Sequence, residues 1–123
     1  RHALEVRINS EDPSQNFLPG EGTITRCQWP GGPGIRVDSF AAPYLNMGTS
    51  YDSLIAKIIA TSPNGRAAAI ARMRRALAET AIEGLPTTVL FHQKLLADPT
   101  FTEAKQWFNV RYLEKWIPEQ QFN

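Results

Sequence analysis

The sequence is short of the residues that carry most reactive chemistry. One cysteine, Cys27, among 123 residues excludes an intrachain disulfide and a cysteine metal cluster. That thiol reads as a small packed hydrophobe, and a reducing, cytoplasmic compartment fits it. The only histidines, His2 and His92, lie far apart, with no nucleophile placed to mark a triad. Neither sign of charge is in excess: a formal net charge of +1 makes no field for nucleic acid or an anionic membrane, so neither is expected as a partner. No apolar run approaches the roughly 18 to 20 residues that cross a bilayer. Repeats, low-complexity stretches and a glycine-rich phosphate loop ending in Lys-Ser or Lys-Thr are also missing. There is no signal-peptide pattern and no initiator methionine, and the abrupt start on strand-like sequence predicts a piece of something longer.

What is present is ordinary globular material, 42% hydrophobic and 20% charged, long enough for one domain over residues 1–123 with a real core. The first half reads as strands. In HALEVRIN, Leu4, Val6 and Ile8 alternate with Glu5, Arg7 and Asn9, the pattern of a sheet with one buried face. SEDPSQNFLPGEG is a loop, expected to be pinned by Phe17 and Leu18. TITRCQW (23–29) and GIRVDSF (34–40) flank a PGGPG turn and are expected to pair antiparallel. On the second of these, Arg36, Asp38 and Phe40 share one face, with Ile35, Val37 and Ser39 on the other. YDSLIAKIIA (51–60) is a dense apolar run; its isoleucine pairs favour a strand, and pattern alone leaves a short buried helix open.

The second half reads as helices. SPNGRAAAIARMRRALAETAIEG is expected to start at a capping Ser62 or Asn64 and stop near Gly84 and Pro86. Ile70, Met73, Leu77 and Ala81 form its apolar stripe, while Arg72, Arg75 and Glu79 fall on a solvated face. TTVLFHQKLLADP (87–99) predicts a second helix with Val89, Leu90, Leu95 and Leu96 inward and a stop at Asp98–Pro99. His92 lacks a second ligand at metal spacing and reads as a packed or surface histidine. Shorter helical pieces bring Trp107, Tyr112, Leu113 and Trp116 to the edge of the core. Strands followed by helices make the fold class α+β, a small antiparallel sheet packed with C-terminal helices.

Few groups converge on chemistry. Glu11 and Asp12 sit in a polar loop and read as a surface pair. Lys57, inside LIAKII, must snorkel or find a partner among Glu5, Asp38 and Asp52, and reads as structural. Arg36 has the setting of a functional group: a permanent charge and a rigid fork of donors, two places beyond glycines that let a ligand approach. It is either the solvated outer residue of a hairpin or a cation aimed at something negative.

The stretches HALEVRINSEDPSQNFLPGEGTIT, GGPGIRVDS, YDSLIAKIIA and AIARMRRALAETAIEGLPTT resemble, in order and spacing, the C-terminal domain of biotin carboxylase, over nearly the whole chain. That family serves acetyl-CoA, propionyl-CoA, methylcrotonyl-CoA and pyruvate carboxylases. The resemblance implies an ATP-dependent ligase that activates bicarbonate as carboxyphosphate and carboxylates biotin on a carrier protein. ATP and Mg²⁺ would bind on an upstream ATP-grasp domain, outside this chain, leaving the fragment inactive alone. Implied partners are that domain, the biotin carboxyl carrier protein, a carboxyltransferase in fatty acid biosynthesis or a related pathway, and a second copy in a homodimer, for which the Arg66-to-Arg75 helix offers a surface. By the family's GG-x-G-[VI]-R segment, Arg36 is the catalytic and biotin-binding arginine that stabilises charge on the ureido oxygen; no metal site is implied. FAAPYLNMGTSYDS departs from the family's glycine- and proline-containing run while keeping Tyr51, Asp52 and Ser53. No M-K-M motif surrounds Lys57, which is therefore not the biotin attachment site.

Overall fold

A computed structural model describes residues 1–40, 44, 46–47, 53–103 and 117–120. Tyr51, Asp52, Trp107, Tyr112, Leu113 and Trp116 lie outside these residues, as does much of the divergent 40–53 stretch. The strands are β1 (His2–Asn9), β2 (Glu11–Asp12), β3 (Leu18–Pro19), β4 (Gly22–Thr23), β5 (Arg26–Gln28), β6 (Ile35–Ser39), β7 (Asn46–Met47), β8 (Leu54–Ser62) and β9 (Ala81–Glu83). Among the described residues, the α-helices after the strand-rich half are α1 (Arg66–Glu79), α2 (Val89–Ala97) and α3 (Pro99–Thr102). The class is α+β.

β8 is the middle of a three-stranded antiparallel sheet ordered β1-β8-β6. Its register sets Val6 and Val37 on either side of Ile58 and Ile35 beside Ala60, so one face of the sheet is aliphatic. α1 covers that face with Ile70, Met73, Ala76 and Leu77, all buried together with Val6, Ile8, Ile58 and Ala60. The run that pattern left ambiguous is therefore a strand, because it finds an open partner on both sides. Where Ile8 faces Ala56 and Asn9 faces Leu54, the register slips. Ile55 is the extra residue of that bulge, and it is fully buried.

Strand pairing and the ends of α1 need correction. β5 pairs with β9, Cys27 opposite Ile82, and β6 pairs with β8; the two segments flanking the PGGPG turn do not pair with each other. Two prolines and three glycines make too wide a reversal for a tight hairpin, and Ile35 and Val37 gain a covered apolar face beside Ile58. α1 begins later, at Arg66 after Gly65 with no side-chain cap, because Ser62 belongs to β8 and its Oγ accepts from Asn64 N at 3.1 Å. It also ends earlier, at Glu79, since residues 81–83 extend along β5 as β9; Ala81 is thus a strand residue.

Phe17 pins its loop as expected, edge-to-face on Phe91 with centroids 5.2 Å apart. Leu18 does not; it is 57% exposed. α2 stops at Asp98–Pro99 as read, with Leu95 and Leu96 buried. Its start is tied to β1 through Thr88: Asn9 N donates to Thr88 Oγ1 at 3.0 Å, and that hydroxyl donates to Arg7 O at 3.3 Å. Cys27 is half-buried and free, and burial raises its thiol pKa. Among the described residues no helix is long and apolar enough to cross a membrane.

His92 is a packed histidine. Its Nε2 lies 2.8 Å from the Arg7 carbonyl, to which it donates, and burial lowers the imidazole pKa more than this bond raises it. The unfolded chain therefore takes up a proton from about pH 6.5 downward that the folded chain resists. Its contribution is present above the unfolded pKa and lost as pH falls through the lower folded one. Melting temperature is expected to fall less on acidification from pH 7.5 to 5.5 in His92→Gln than in the parent chain. Equal pH slopes would assign the acid sensitivity to other groups.

Candidate functional site

The outer face of the sheet, opposite α1, carries charge in rows set by the strand register. One row runs Glu5, Ile59, Arg36 across β1, β8 and β6; the next runs Arg7, Lys57, Asp38. Strand alternation puts these residues outward for the same reason that it puts Val6, Ile58 and Val37 inward. Arg36 and Asp38, two apart on β6, form a two-pronged pair: Nε donates to Oδ1 at 3.3 Å and Nη2 to Oδ2 at 2.9 Å. The Arg36 side chain remains 73% exposed and that of Asp38 43%. Hydrogen bonding to Asp38 raises the guanidinium pKa, and the same bond, helped by the charges of Arg36 and Lys57, lowers the carboxyl pKa.

The pair uses the side edge of the guanidinium. A guanidinium has five N–H donors in a planar fork, and the pair with Asp38 takes one on Nε and one on Nη2. That leaves three N–H donors off the carboxylate, on a side chain that is mostly exposed. Lys57 sits directly across from Asp38 in the register, and the Glu5–Arg7 pair on β1 is looser, at 3.6 Å.

The turn that launches β6 is gripped from below by α1. Arg75 Nη1 donates to Gly31 O at 3.2 Å and to Glu79 Oε1 at 2.8 Å. Arg72 Nη1 donates to Thr61 O at 2.5 Å, beneath Gly34, whose own carbonyl accepts from Thr61 N at 2.8 Å. Arg66, at the helix start, donates to the carbonyls of Thr102 and Phe101 at 2.7 and 3.0 Å and stacks on the Phe101 ring. Of the expected solvated face, Arg75 and Glu79 are exposed, and Arg72 and Arg75, like Arg66 at the helix start, also clamp backbone carbonyls. The available signal was the turn itself: prolines and glycines leave carbonyls without ladder partners, and an arginine fork is the group that reaches them.

Other candidates resolve structurally. Asp12 accepts from Ser14 N at 3.0 Å and from its hydroxyl at 2.6 Å, closing a short 3₁₀ turn, while Glu11 accepts from Asn9 and Ser53. Among the described residues no group of three His, Cys, Asp or Glu side chains could hold a metal ion. A cleft of about 400 Å³ between β9, α2 and Asp12–Pro13 does not include Arg36. Its polar groups are committed, Gln93 donating to Leu77 O at 3.0 Å and Thr80 to Ala76 O at 2.8 Å.

The profile of the biotin carboxylase C-terminal domain family matches residues 5–115. Biotin carboxylase 1 of Bacillus subtilis is 50% identical over 114 residues, covering 93% of this chain and 25% of that protein. The alpha3 subunit of a biotin-dependent acyl-coenzyme A carboxylase from Mycobacterium leprae is 40% identical over 116 residues, 94% of this chain and 19% of that one. Among solved structures, the biotin carboxylase domain dimer of Hydrogenobacter thermophilus 2-oxoglutarate carboxylase, with MgADP, ADP and bicarbonate, superposes with a TM-score of 0.86. Identity to it is 42%, over 92% of this chain and 24% of that one. This chain therefore spans about a quarter of the length of the Bacillus relative.

Proposed function

The chain belongs to the biotin carboxylase C-terminal domain family, and from that premise we propose that it forms one wall of the site where a ligase carboxylates biotin. The parent enzyme would spend ATP to activate bicarbonate and pass the carboxyl group to biotin on a carrier protein. Biotin supplies a ureido nitrogen as acceptor and, as that nitrogen loses its proton, a ureido oxygen on which negative charge collects. Arg36 would donate to that oxygen. A fixed guanidinium stabilises the charged species more than the neutral ring, which is what lowers a barrier. One observation carries this reading: Arg36 stands 73% exposed on the outer sheet face, and among the described residues its guanidinium bonds to Asp38 alone, through Nε and Nη2.

ATP and Mg²⁺ are assigned to the ATP-grasp part of the parent enzyme; among the described residues no group of three His, Cys, Asp or Glu side chains could hold a cation. We place the parent enzyme in the cytoplasm, in an acetyl- or propionyl-CoA carboxylase of fatty acid biosynthesis with its acceptor chosen by a separate carboxyltransferase; the similarity to a subunit of an acyl-coenzyme A carboxylase is compatible with that class. A second role, compatible with the first, is contact between two copies of the enzyme, since the Hydrogenobacter relative is a dimer. Sedimentation of the enzyme containing this chain would then give twice the protomer mass.

The test is reconstitution. With ATP, Mg²⁺, bicarbonate and free biotin, the full-length enzyme should form carboxybiotin, and residues 1–123 alone should form none. Turnover by the isolated chain, or none by the full-length enzyme, defeats the proposal.

A further inference from the structure

We infer that Asp38 is a positioning residue for this reaction, setting the aim of Arg36 from the neighbouring place on β6. The inference rests on the reading of Arg36 given above and adds a second residue to it. A long, 73% exposed arginine has many rotamers of similar energy. Asp38 removes most of them by binding Nε and Nη2 together, at 3.3 and 2.9 Å. Such a paired contact fixes the plane of the fork as well as its distance. Because it takes the side edge, the outward donors stay open; the carboxylate orients Arg36 without blocking it.

A nearby negative charge would also weaken the attraction of Arg36 for a developing anion. The register answers that objection. Lys57 lies directly opposite Asp38 on β8, with Arg7 beyond it on β1, so the row that holds the carboxylate contains two cations. The lowered carboxyl pKa, to which Lys57 contributes, keeps Asp38 ionised and the contact intact at neutral pH. Lys57, read from sequence as structural with Asp38 among its candidate partners, thereby acquires a role in offsetting Asp38.

The experiment is a double-mutant cycle in the full-length enzyme, with free biotin as substrate. Asp38→Ala is expected to lower kcat about 10-fold through misplacement of Arg36, with KM for ATP unchanged. Asp38→Glu should recover most of the loss, and Asp38→Asn, which keeps volume but not charge, should recover little. In an Arg36→Ala background, Asp38→Ala should cost nothing further. An unchanged or faster Asp38→Ala enzyme overturns the inference, as does an equal loss in both backgrounds, even if Arg36→Ala is itself slow. Full activity in Arg36→Ala sinks the earlier reading and this one with it. Melting curves guard against misfolding; a melting temperature lowered equally in Asp38→Ala and Asp38→Asn, with no rescue by Glu, would make Asp38 structural.

Discussion

Replacing Arg36 by alanine in the full-length enzyme is expected to slow carboxylation of free biotin by about 10² to 10³, the usual effect of removing one donor to a developing oxyanion. The loss should fall on kcat, because the contact strengthens only as charge builds. Arg36→Lys keeps the charge on a flexible stem but loses the planar fork and the two-pronged bond to Asp38. It is expected to recover part of the rate and stay roughly 10-fold below the parent. Arg36→Gln, a neutral donor, should resemble alanine. Stability should barely move in any of them, since an exposed ion pair contributes little. A folded Arg36→Ala enzyme with parental kcat would return Arg36 to the bland alternative, a solvated residue on an outer strand face.

Local pattern was enough wherever one face of an element is covered and the other is not. β1 was legible residue by residue because α1 and β8 cover Val6 and Ile8 while Glu5 and Arg7 stay exposed. The same alternation placed Arg36 and Asp38 together on β6, so half of the candidate site could be read from two residues in i and i+2. Strand pairing could not be read that way. Whether β6 joins β5 or β8 depends on which partner offers Ile35 and Val37 a covered face, and that face is made by Ile58, Ala60 and α1, well downstream.

The boundaries of α1 failed for a related reason. Ser62 and Asn64 are good capping residues locally, but Ser62 is more strongly held as the last rung of β8, opposite His2. Arg72 and Arg75 show the same limit in the site. A helical wheel says which side of α1 they occupy; it cannot say that the 31–34 turn and the end of β8 lie against that side and offer the Gly31 and Thr61 carbonyls. On the proposed reading the other wall of the site belongs to the ATP-grasp part of the parent enzyme, so the ligand for Arg36 was read from family resemblance rather than from a pocket.

The clamp beneath the turn makes Gly34 the most sensitive backbone position in the launch of β6. Its φ is +74°, and a Cβ built there would collide with Arg72 Nη1 and stand 2.5 Å from Thr61 O. The guanidinium could swing away, but Thr61 O belongs to β8, and Thr61 N is bonded to Gly34 O at 2.8 Å. The central strand cannot retreat without losing its register. Gly34→Ala is therefore expected to cost about 2 to 4 kcal/mol from strained φ and overpacking combined, lowering the melting temperature by roughly 10 °C for a chain of this size. Gly31, three residues earlier, has nothing within 4 Å of a built Cβ, so Gly31→Ala should be nearly neutral despite its bond to Arg75. Arg72→Ala should not rescue Gly34→Ala, because the strand carbonyl remains. In the full-length enzyme, whatever Gly34→Ala protein folds should also lose biotin carboxylation, since the shifted turn moves Arg36. Equal tolerance of alanine at 31 and 34 would show that the turn yields freely, and that α1 does not set where β6 begins.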